Sequence, residues 1–261
     1  MKVVDYCVNC GNTDVRSSSA GLNNFVIDRM LGRPKEKLGF TACKSLRCKT
    51  CEFTSIDIRF TLEEERRYYT NYMKDEYINH RFLYDNYKEH LTPFNSKEYK
   101  DLRRNALDEI ITSILDIKKI NSVLDFGGDT GDLIPESLKS SKKYLLDIEN
   151  RNSLNDVTVI KDVSESGPVD LIICAHTFEH VSYPRDLLEV IKTFMNGDTY
   201  LYIEVPNELN HSFNFHEHIN QYNIKSLKTL LEKSNMIVIE SGEVFYPAYI
   251  GNAFYVIGML C

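Results

Sequence analysis

Residues 121–132 read "NSVLDFGGDTGD". An apolar run through Val123 and Leu124 ends in Asp125 and then meets Gly127, Gly128 and Gly131. This pattern describes a strand that stops at a tight turn, where the backbone can come close to a ligand. It is not a Walker A loop, because no Gly-Lys-Ser/Thr follows, and it is not a clean G-x-G-x-x-G. Taken alone the turn says little. Its meaning comes from what lies on either side.

Downstream the apolar stretches recur with a regular rhythm. "KKYLLDIE" (142–149), "DVTVIKDV" (156–163), "PVDLIICAHTFEHV" (168–181), "GDTYLYIEVP" (197–206), "MIVIESGEVF" (236–245) and "NAFYVIGML" (252–260) read as strands. "PRDLLEVIKTFM" (184–195) and "NIKSLKTLLEKSN" (223–235) read as helices. Nearly continuous apolar strands alternating with helices predict a mostly parallel α/β sheet covered on both faces, with room for an antiparallel final strand. In such sheets ligands bind beyond the carboxyl ends of the strands, near the switch point. Asp147 ends the second strand, where an acid can bind the two ribose hydroxyls of an adenosine; capping of the next segment is the alternative. Asp162 and Val163 end the third, where a side chain and a backbone N–H suit adenine, although "KDVSES" is also ordinary turn chemistry.

Upstream, "SKEYKDLRRNALDEIITSILDI" predicts an amphipathic helix from Ser96 to about residue 117. Thr61 followed by Glu64 marks another helix start. The stretch to residue 92 holds Tyr68, Tyr69, Tyr72, Tyr77, Tyr84 and Tyr87. Most of these read as packing residues, and some as lining for a pocket, since a phenol offers a flat face and a proton donor together.

Five of the seven cysteines fall before residue 52. Cys7 and Cys10 form "CVNC", and Cys48 and Cys51 form "CKTC". Two C-x2-C knuckles can supply four thiolates to one tetrahedral Zn²⁺, a structural site with no position left for water. A disulfide pair competes, but nothing points to export. A redox C-x-x-C would sit between a strand and a helix, which neither pair does. Cys43 is a spare that could replace a ligand, although a lone buried cysteine is the commoner case.

The chain has 261 residues, 43% hydrophobic and 26% charged, as expected for a globular protein. The start, "MKVVDYCVNC", turns polar within ten residues and predicts no secretory leader. No stretch suits a membrane span, and a cytoplasmic setting is expected. A net charge of −7 argues against a nucleic-acid partner. Residues 1–51 nevertheless carry nine Lys or Arg against four Asp or Glu.

"NFHEHINQYN" (214–223) places His216 and His218 around Glu217, with His211 just upstream. A zincin helix needs H-E-x-x-H, and the fourth position after His216 is Asn220. The segment follows the fifth strand, which turns its histidine–glutamate chemistry toward handling a substrate. Two other arrangements compete: His216 packed inward with His218 in water, and a Glu217 that points away from its neighbour.

These segments resemble the class I S-adenosylmethionine-dependent methyltransferases. "VLDFGGDTGD" is similar to their first motif, with Asp129 where the family commonly has glycine. "LLDIE" resembles the ribose-binding strand end, and "DLIICAHTFEHVSYPRDLLEVIKTFMNGDTYLYIEVP" the fourth strand, its helix and the fifth strand. The resemblance covers about 120–261. It implies a Rossmann-like seven-stranded methyltransferase sheet preceded by a small zinc-binding module. It also implies S-adenosylmethionine as cofactor. Gly127, Gly128 and Gly131 would curve around its methionine part and Asp125 would orient its amino group or a water. Asp147 and Ile148 would hold the ribose, Asp162 and Val163 the adenine, and His176 would lie near the sulfonium. Glu179 and His180 would follow on the substrate side. The division this suggests is a zinc module at 1–60, a helical covering layer at 61–118 and the methyltransferase domain at 119–261.

A narrower resemblance is to methyltransferases that add carbon-bound methyl groups to nucleotide-linked deoxysugars. These carry an N-terminal zinc module with two C-x2-C pairs and a "Y-H-E-H" segment after the fifth strand. Here the segment is "FHEH", with Phe215 for tyrosine. Those proteins usually continue into a further C-terminal α/β domain, whereas this sequence stops after the last methyltransferase strand. The family chemistry would make His218 a base on an acidified carbon beside a ketone, with Glu217 and His180 as partners. The expected activity is methyl transfer to a small molecule, a sugar or sugar nucleotide first, and O or N of another metabolite second. An RNA substrate gripped by the zinc module and a scaffold that no longer transfers methyl are the remaining readings.

Overall fold

The computed structural model describes residues 1–32, 39–84, 96–148, 153–154, 156–208, 214–246 and 251–261. Tyr87 and His211 lie outside the described residues. The elements, in chain order, are β1 (Lys2–Val3), β2 (Val15–Asn23), α1 (Asn24–Leu31), β3 (Phe40–Cys48), β4 (Thr54–Ile56), β5 (Ile58–Arg59), α2 (Leu62–Tyr69) and α3 (Asp75–Arg81). They continue with α4 (Lys97–Ile114), β6 (Ser122–Phe126), β7 (Lys142–Leu146), β8 (Thr158–Val159), β9 (Leu171–Ala175), α5 (Pro184–Lys192) and β10 (Tyr200–Pro206). The chain closes with β11 (Asn214–Phe215), β12 (Asn220–Gln221), α6 (Ile224–Lys233), β13 (Met236–Tyr246) and β14 (Gly251–Leu260).

The larger sheet has seven strands in the order β13-β14-β10-β9-β6-β7-β8. β10, β9, β6, β7 and β8 run parallel, and β14 is antiparallel to both β10 and β13. Successive residues of a strand face opposite sides, and that period divides the apolar runs between two cores. Leu124, Ile172, Cys174, Leu201 and Ile203 pack with α5 and α6, through Leu188, Ile191, Leu227 and Leu230. Val123, Leu171, Ile173 and Tyr202 pack on the other side with Leu107 and Ile111 of α4. The third strand is shorter than its pattern predicts, with only Thr158 and Val159 paired to β7.

Helix starts follow their local chemistry. Thr61 and Glu64 form a reciprocal capping box at α2, Ser96 caps α4, and Asn223 and Ser226 form a second box at α6. Pro184 opens α5, where its missing N–H costs no helical bond. α4 ends at Ile114, before the expected residue 117, because Leu115 takes an extended backbone.

The smaller sheet, β11-β2-β3-β4-β12, is built from both ends of the chain. β2 and β3 pair over nine residues each. Their edges are completed by β11, parallel to β2, and β12, antiparallel to β4, both from the histidine-bearing segment after β10. That pairing was not visible in sequence. Neither end of this sheet has a private core. Cys7, Cys48, Cys51 and Phe53 join the core of α5 and α6. Leu22, Phe25, Tyr68 and Tyr77 pack with Phe215 and Ile219. Among the described residues, no helix is long and apolar enough to cross a membrane.

Candidate active site and metal centre

The turn after β6 places a carboxylate beneath a glycine cradle. Gly127 has φ +73°, and a Cβ there would stand 2.5 Å from Thr177 Oγ1. A Cβ on Gly128 would stand 2.0 Å from the carboxyl carbon of Asp125. Both positions therefore exclude a side chain. Asp129 takes φ +56°, the left-handed backbone that explains a preference for glycine and that aspartate tolerates. Asp125 is 1% exposed, and among the described residues neither carboxylate oxygen has a hydrogen-bond partner. Burial pushes its pKa up to about 7, with Asp147 adding to the rise and Arg103 opposing it. A buried acid left in this state fits a cationic ligand group, as the amino group of S-adenosylmethionine would supply.

Asp147, just past β7, accepts the backbone N–H of Asp129 at 3.0 Å, and Ile148 beside it is 47% exposed. Asp125, the glycines and Asp147 thus come together at the carboxyl ends of β6 and β7. Asp162 is exposed and spends its carboxylate on its own turn, accepting from Ser164 N at 2.8 Å and from the Ser164 hydroxyl. Val163 opens that turn.

The residues after β9 lie beside the glycine turn, with Thr177 facing Gly127. His176 has φ +54° and donates its backbone N–H to the Glu204 carbonyl at 2.8 Å. A strained backbone held by neighbours is a mark of functional sites. Its ring lies between two acids, with Nε2 3.1 Å from Glu204 Oε1 and Nδ1 3.3 Å from Glu179 Oε1. Burial and Arg103 oppose a charge on this ring, but the two carboxylates outweigh them and raise its pKa. Glu204 is buried and fully engaged. It accepts from Arg103 at 3.2 Å, Tyr202 at 2.6 Å and Tyr246 at 2.8 Å. Burial works against its charge, yet His176 and Arg103 hold it down at about 2. Arg103 reaches it from the 99-103-107-111 stripe of α4, whose Tyr99, Leu107 and Ile111 are buried.

The histidine–glutamate segment packs against the turn after β9. His216 is exposed, edge-on to Phe40, while His218 points inward. His218 Nδ1 pairs with Glu208 Oε1 at 2.7 Å. Burial disfavours its charge, but Glu208 prevails and raises its pKa to about 9. The His180 ring stands edge-on to His218 at 4.7 Å, and its Nδ1 bonds the Glu217 carbonyl at 3.2 Å. Burial, then His218, lower the pKa of His180. The Glu217 side chain turns away from His218. It accepts the Tyr68 hydroxyl at 3.0 Å and lies 3.6 Å from Arg81, while Tyr77 donates to the Tyr68 hydroxyl at 3.0 Å.

Sequence reasoning missed Arg81, Arg103, Glu204 and Glu208. A signal existed only for Glu204, the single charge inside the strand "YLYIEVP". Asn220, the residue that fails the zincin pattern, has a structural task. It accepts from buried Arg59 at 2.8 Å and donates to the carbonyls of Phe178 and Val181 at 2.9 and 2.7 Å.

The four knuckle cysteines converge. Cys7 and Cys51 sulfurs are 3.6 Å apart, as are those of Cys10 and Cys48, and all four lie within 4.8 Å of one another. Zn–S bonds of about 2.3 Å set tetrahedral sulfurs roughly 3.8 Å apart, so the donors fit a structural metal ion. Asn9 ties the site to α6, donating to Ser226 O at 2.9 Å and lying 3.7 Å from the Cys51 sulfur. Cys43 stands outside this cluster, packed against the core around Phe25.

The sheet order, the glycine turn and the acid at the end of the second strand define the fold of a class I S-adenosylmethionine-dependent methyltransferase. Residues 94–241 match the family described as the methyltransferase domain, and the chain belongs to that family. A similar solved structure is 1,6-didemethyltoxoflavin-N1-methyltransferase of Burkholderia thailandensis, with bound 1,6-didemethyltoxoflavin and S-adenosylhomocysteine. It is 15% identical over 66% of this chain and 84% of its own, with a TM-score of 0.52. Another is the plantazolicin methyltransferase BpumL with S-adenosylhomocysteine, 15% identical over 74% of this chain and 93% of its own, with a TM-score of 0.50. No curated protein matches the chain in sequence.

Proposed function

We propose that the chain transfers the methyl group of S-adenosylmethionine to an oxygen or nitrogen of a small metabolite. The observation that carries this reading is Asp125, a buried carboxylate under a glycine cradle with no hydrogen-bond partner among the described residues. In this reading Asp125 receives the cofactor's amino group and Gly127, Gly128 and Gly131 admit its methionine part. Asp147 and Ile148 hold the ribose, Asp162 and Val163 border the adenine, and His176 lies beside the sulfonium. When bound, the cofactor supplies an electrophilic methyl, and alignment with the acceptor provides much of the acceleration. His180, Glu217 and His218 form the acceptor side. His218, held charged by Glu208, suits a developing negative charge on an acceptor better than proton removal at neutral pH. The relatives fit a small acceptor, one being named for N1 of 1,6-didemethyltoxoflavin and the other for plantazolicin.

A sugar nucleotide methylated at carbon is the second reading. It is favoured by the "FHEH" segment and by Tyr68, whose phenol on Glu217 restores the hydroxyl that Phe215 lacks. The division at 60 and 118 belongs to this proposal, with the first two parts covering the acceptor. So does a cytoplasmic setting, since free thiolates in knuckles belong in reducing surroundings.

Calorimetry with S-adenosylmethionine tests the reading. Binding by the wild type, weakened in Asp147→Ala with the fold intact, is the expected outcome, and a wild type that fails to bind would sink it. Mass spectrometry of acceptor panels then separates O- and N-nucleophiles from 4-keto sugar nucleotides.

A further inference from the structure

We propose that Glu179, His180 and His218 form a second metal site, built to hold one first-row divalent ion in the acceptor cleft. One ligand atom from each lies within 4.8 Å of the others, and Glu179 Oε1 is 4.0 Å from His180 Nε2. Glu179 is 1% exposed, and among the described residues neither oxygen has a hydrogen-bond partner, with His176 Nδ1 at ion-pair distance, 3.3 Å from Oε1. The His176 ring meets only Oε1, and the remaining lone pairs of the carboxylate are left for a metal ion.

Both rings are already set as metal ligands are set. His180 Nδ1 is engaged by the Glu217 carbonyl and His218 Nδ1 by the Glu208 carboxylate. His180 leaves Nε2 for a ligand bond, and His218 does so once the ion displaces the proton on its Nε2. Such outer partners fix the tautomer and the ring orientation, and a carboxylate on the far nitrogen raises ligand basicity. Two histidines and one carboxylate leave coordination positions open, the arrangement found where a metal binds something besides the protein. Bonds of about 2.1 Å bring the donors closer than they stand now, so binding would draw them inward. The thiolate knuckles do not compete, because soft sulfur donors and this N/O set prefer different ions.

Within the acceptor reading above, the ion would grip an oxygen of the substrate and select acceptors with a second oxygen or nitrogen beside the nucleophile. Ion binding itself needs neither cofactor nor acceptor, so the two readings fail separately.

The test is a Mn²⁺ titration of the full chain with zinc in its cysteine site, following the paramagnetic resonance signal of free Mn²⁺. One equivalent should bind per chain, and Glu179→Gln, His180→Ala and His218→Ala should each lose it. Glu208→Gln should weaken it about tenfold and retain the cysteine-bound zinc. A wild type that binds no Mn²⁺ overturns the site, as does a folded Glu179→Gln that binds like wild type. If S-adenosylmethionine binds while Mn²⁺ does not, only the metal site falls. If Mn²⁺ binds while the cofactor does not, the metal site stands and the methyltransferase reading falls.

Discussion

The glycine turn at 127–131 and the segment at 215–220 both border the turn after β9 but are assembled in opposite ways. The first is local. Its strand, its turn and the acid beneath it fall within ten residues, and Asp147 joins from the adjacent strand. The second is assembled across the chain. Phe215 pairs with β2, Asn220 with β4 and with Arg59, and Glu217 with Tyr68. The glycine turn is therefore self-contained, whereas the histidine–glutamate segment depends on a sheet anchored by four cysteines; in the proposed function the first is the cofactor half of the site and the second the acceptor half. The two halves should respond differently to the same kind of damage.

The largest effect should come from Cys48→Ser. Cys48 is buried, ends β3 and faces Cys10 across the knuckles. Structural zinc sites contribute folding energy directly, so the variant should lose its metal by elemental analysis and several kcal/mol of stability. The soluble fraction should still bind S-adenosylmethionine. Equal loss of metal and of cofactor affinity would break the comparison, because the halves would then be one unit. Glu204→Ala should come next. It strands Arg103, His176, Tyr202 and Tyr246 around a hole. Removing one member of a buried charge network costs about 3–5 kcal/mol, readable by chemical denaturation, and a loss under about 1 kcal/mol would mean that this network adds little to the fold's stability. Gly128→Ala acts on one half alone. Its Cβ would overlap Asp125, so cofactor affinity should fall by more than about tenfold, or 1.4 kcal/mol, while the Mn²⁺ titration is unchanged. A cofactor affinity equal to wild type would show that the cradle does not touch the ligand.

The same contrast explains what the sequence could tell. The parallel strands, the glycine turn, Asp125 and Asp147 follow from short-range patterns, since period-two apolarity and glycine spacing are local properties. The knuckles were equally readable because C-x2-C is a local motif, even with 37 residues between the pairs. β11 and β12 were not readable, because two-residue strands have no period and their partners lie far away in the chain. Glu208 and Arg103 escaped for a related reason. A charged residue in a polar segment or on an amphipathic helix has no signature until tertiary packing shows what it faces. Asp162 shows the converse, where turn chemistry that was visible in sequence occupies the side chain expected to face a ligand.

Asp125 offers the finest test of the local half. The fold holds its carboxyl protonated up to about pH 7, from an ordinary value of 3.8, chiefly through burial. Folding thus takes up a proton between those values, so the ligand-free protein should lose stability as pH rises from about 4 to 7 and then level off. Cofactor binding has the opposite sign, because only the ionised acid attracts an ammonium group. Between pH 6 and pH 8 the ionised fraction rises from about a tenth to about nine-tenths, which allows a gain in affinity of up to roughly tenfold. Asp125→Asn should bind weakly and lack that component, and subtracting its profile removes any titration of the ligand itself. Calorimetry across this range reads the difference directly. Parallel profiles for the two proteins would mean that Asp125 supports the turn without meeting the cofactor. The glycine cradle would then owe its shape to packing alone.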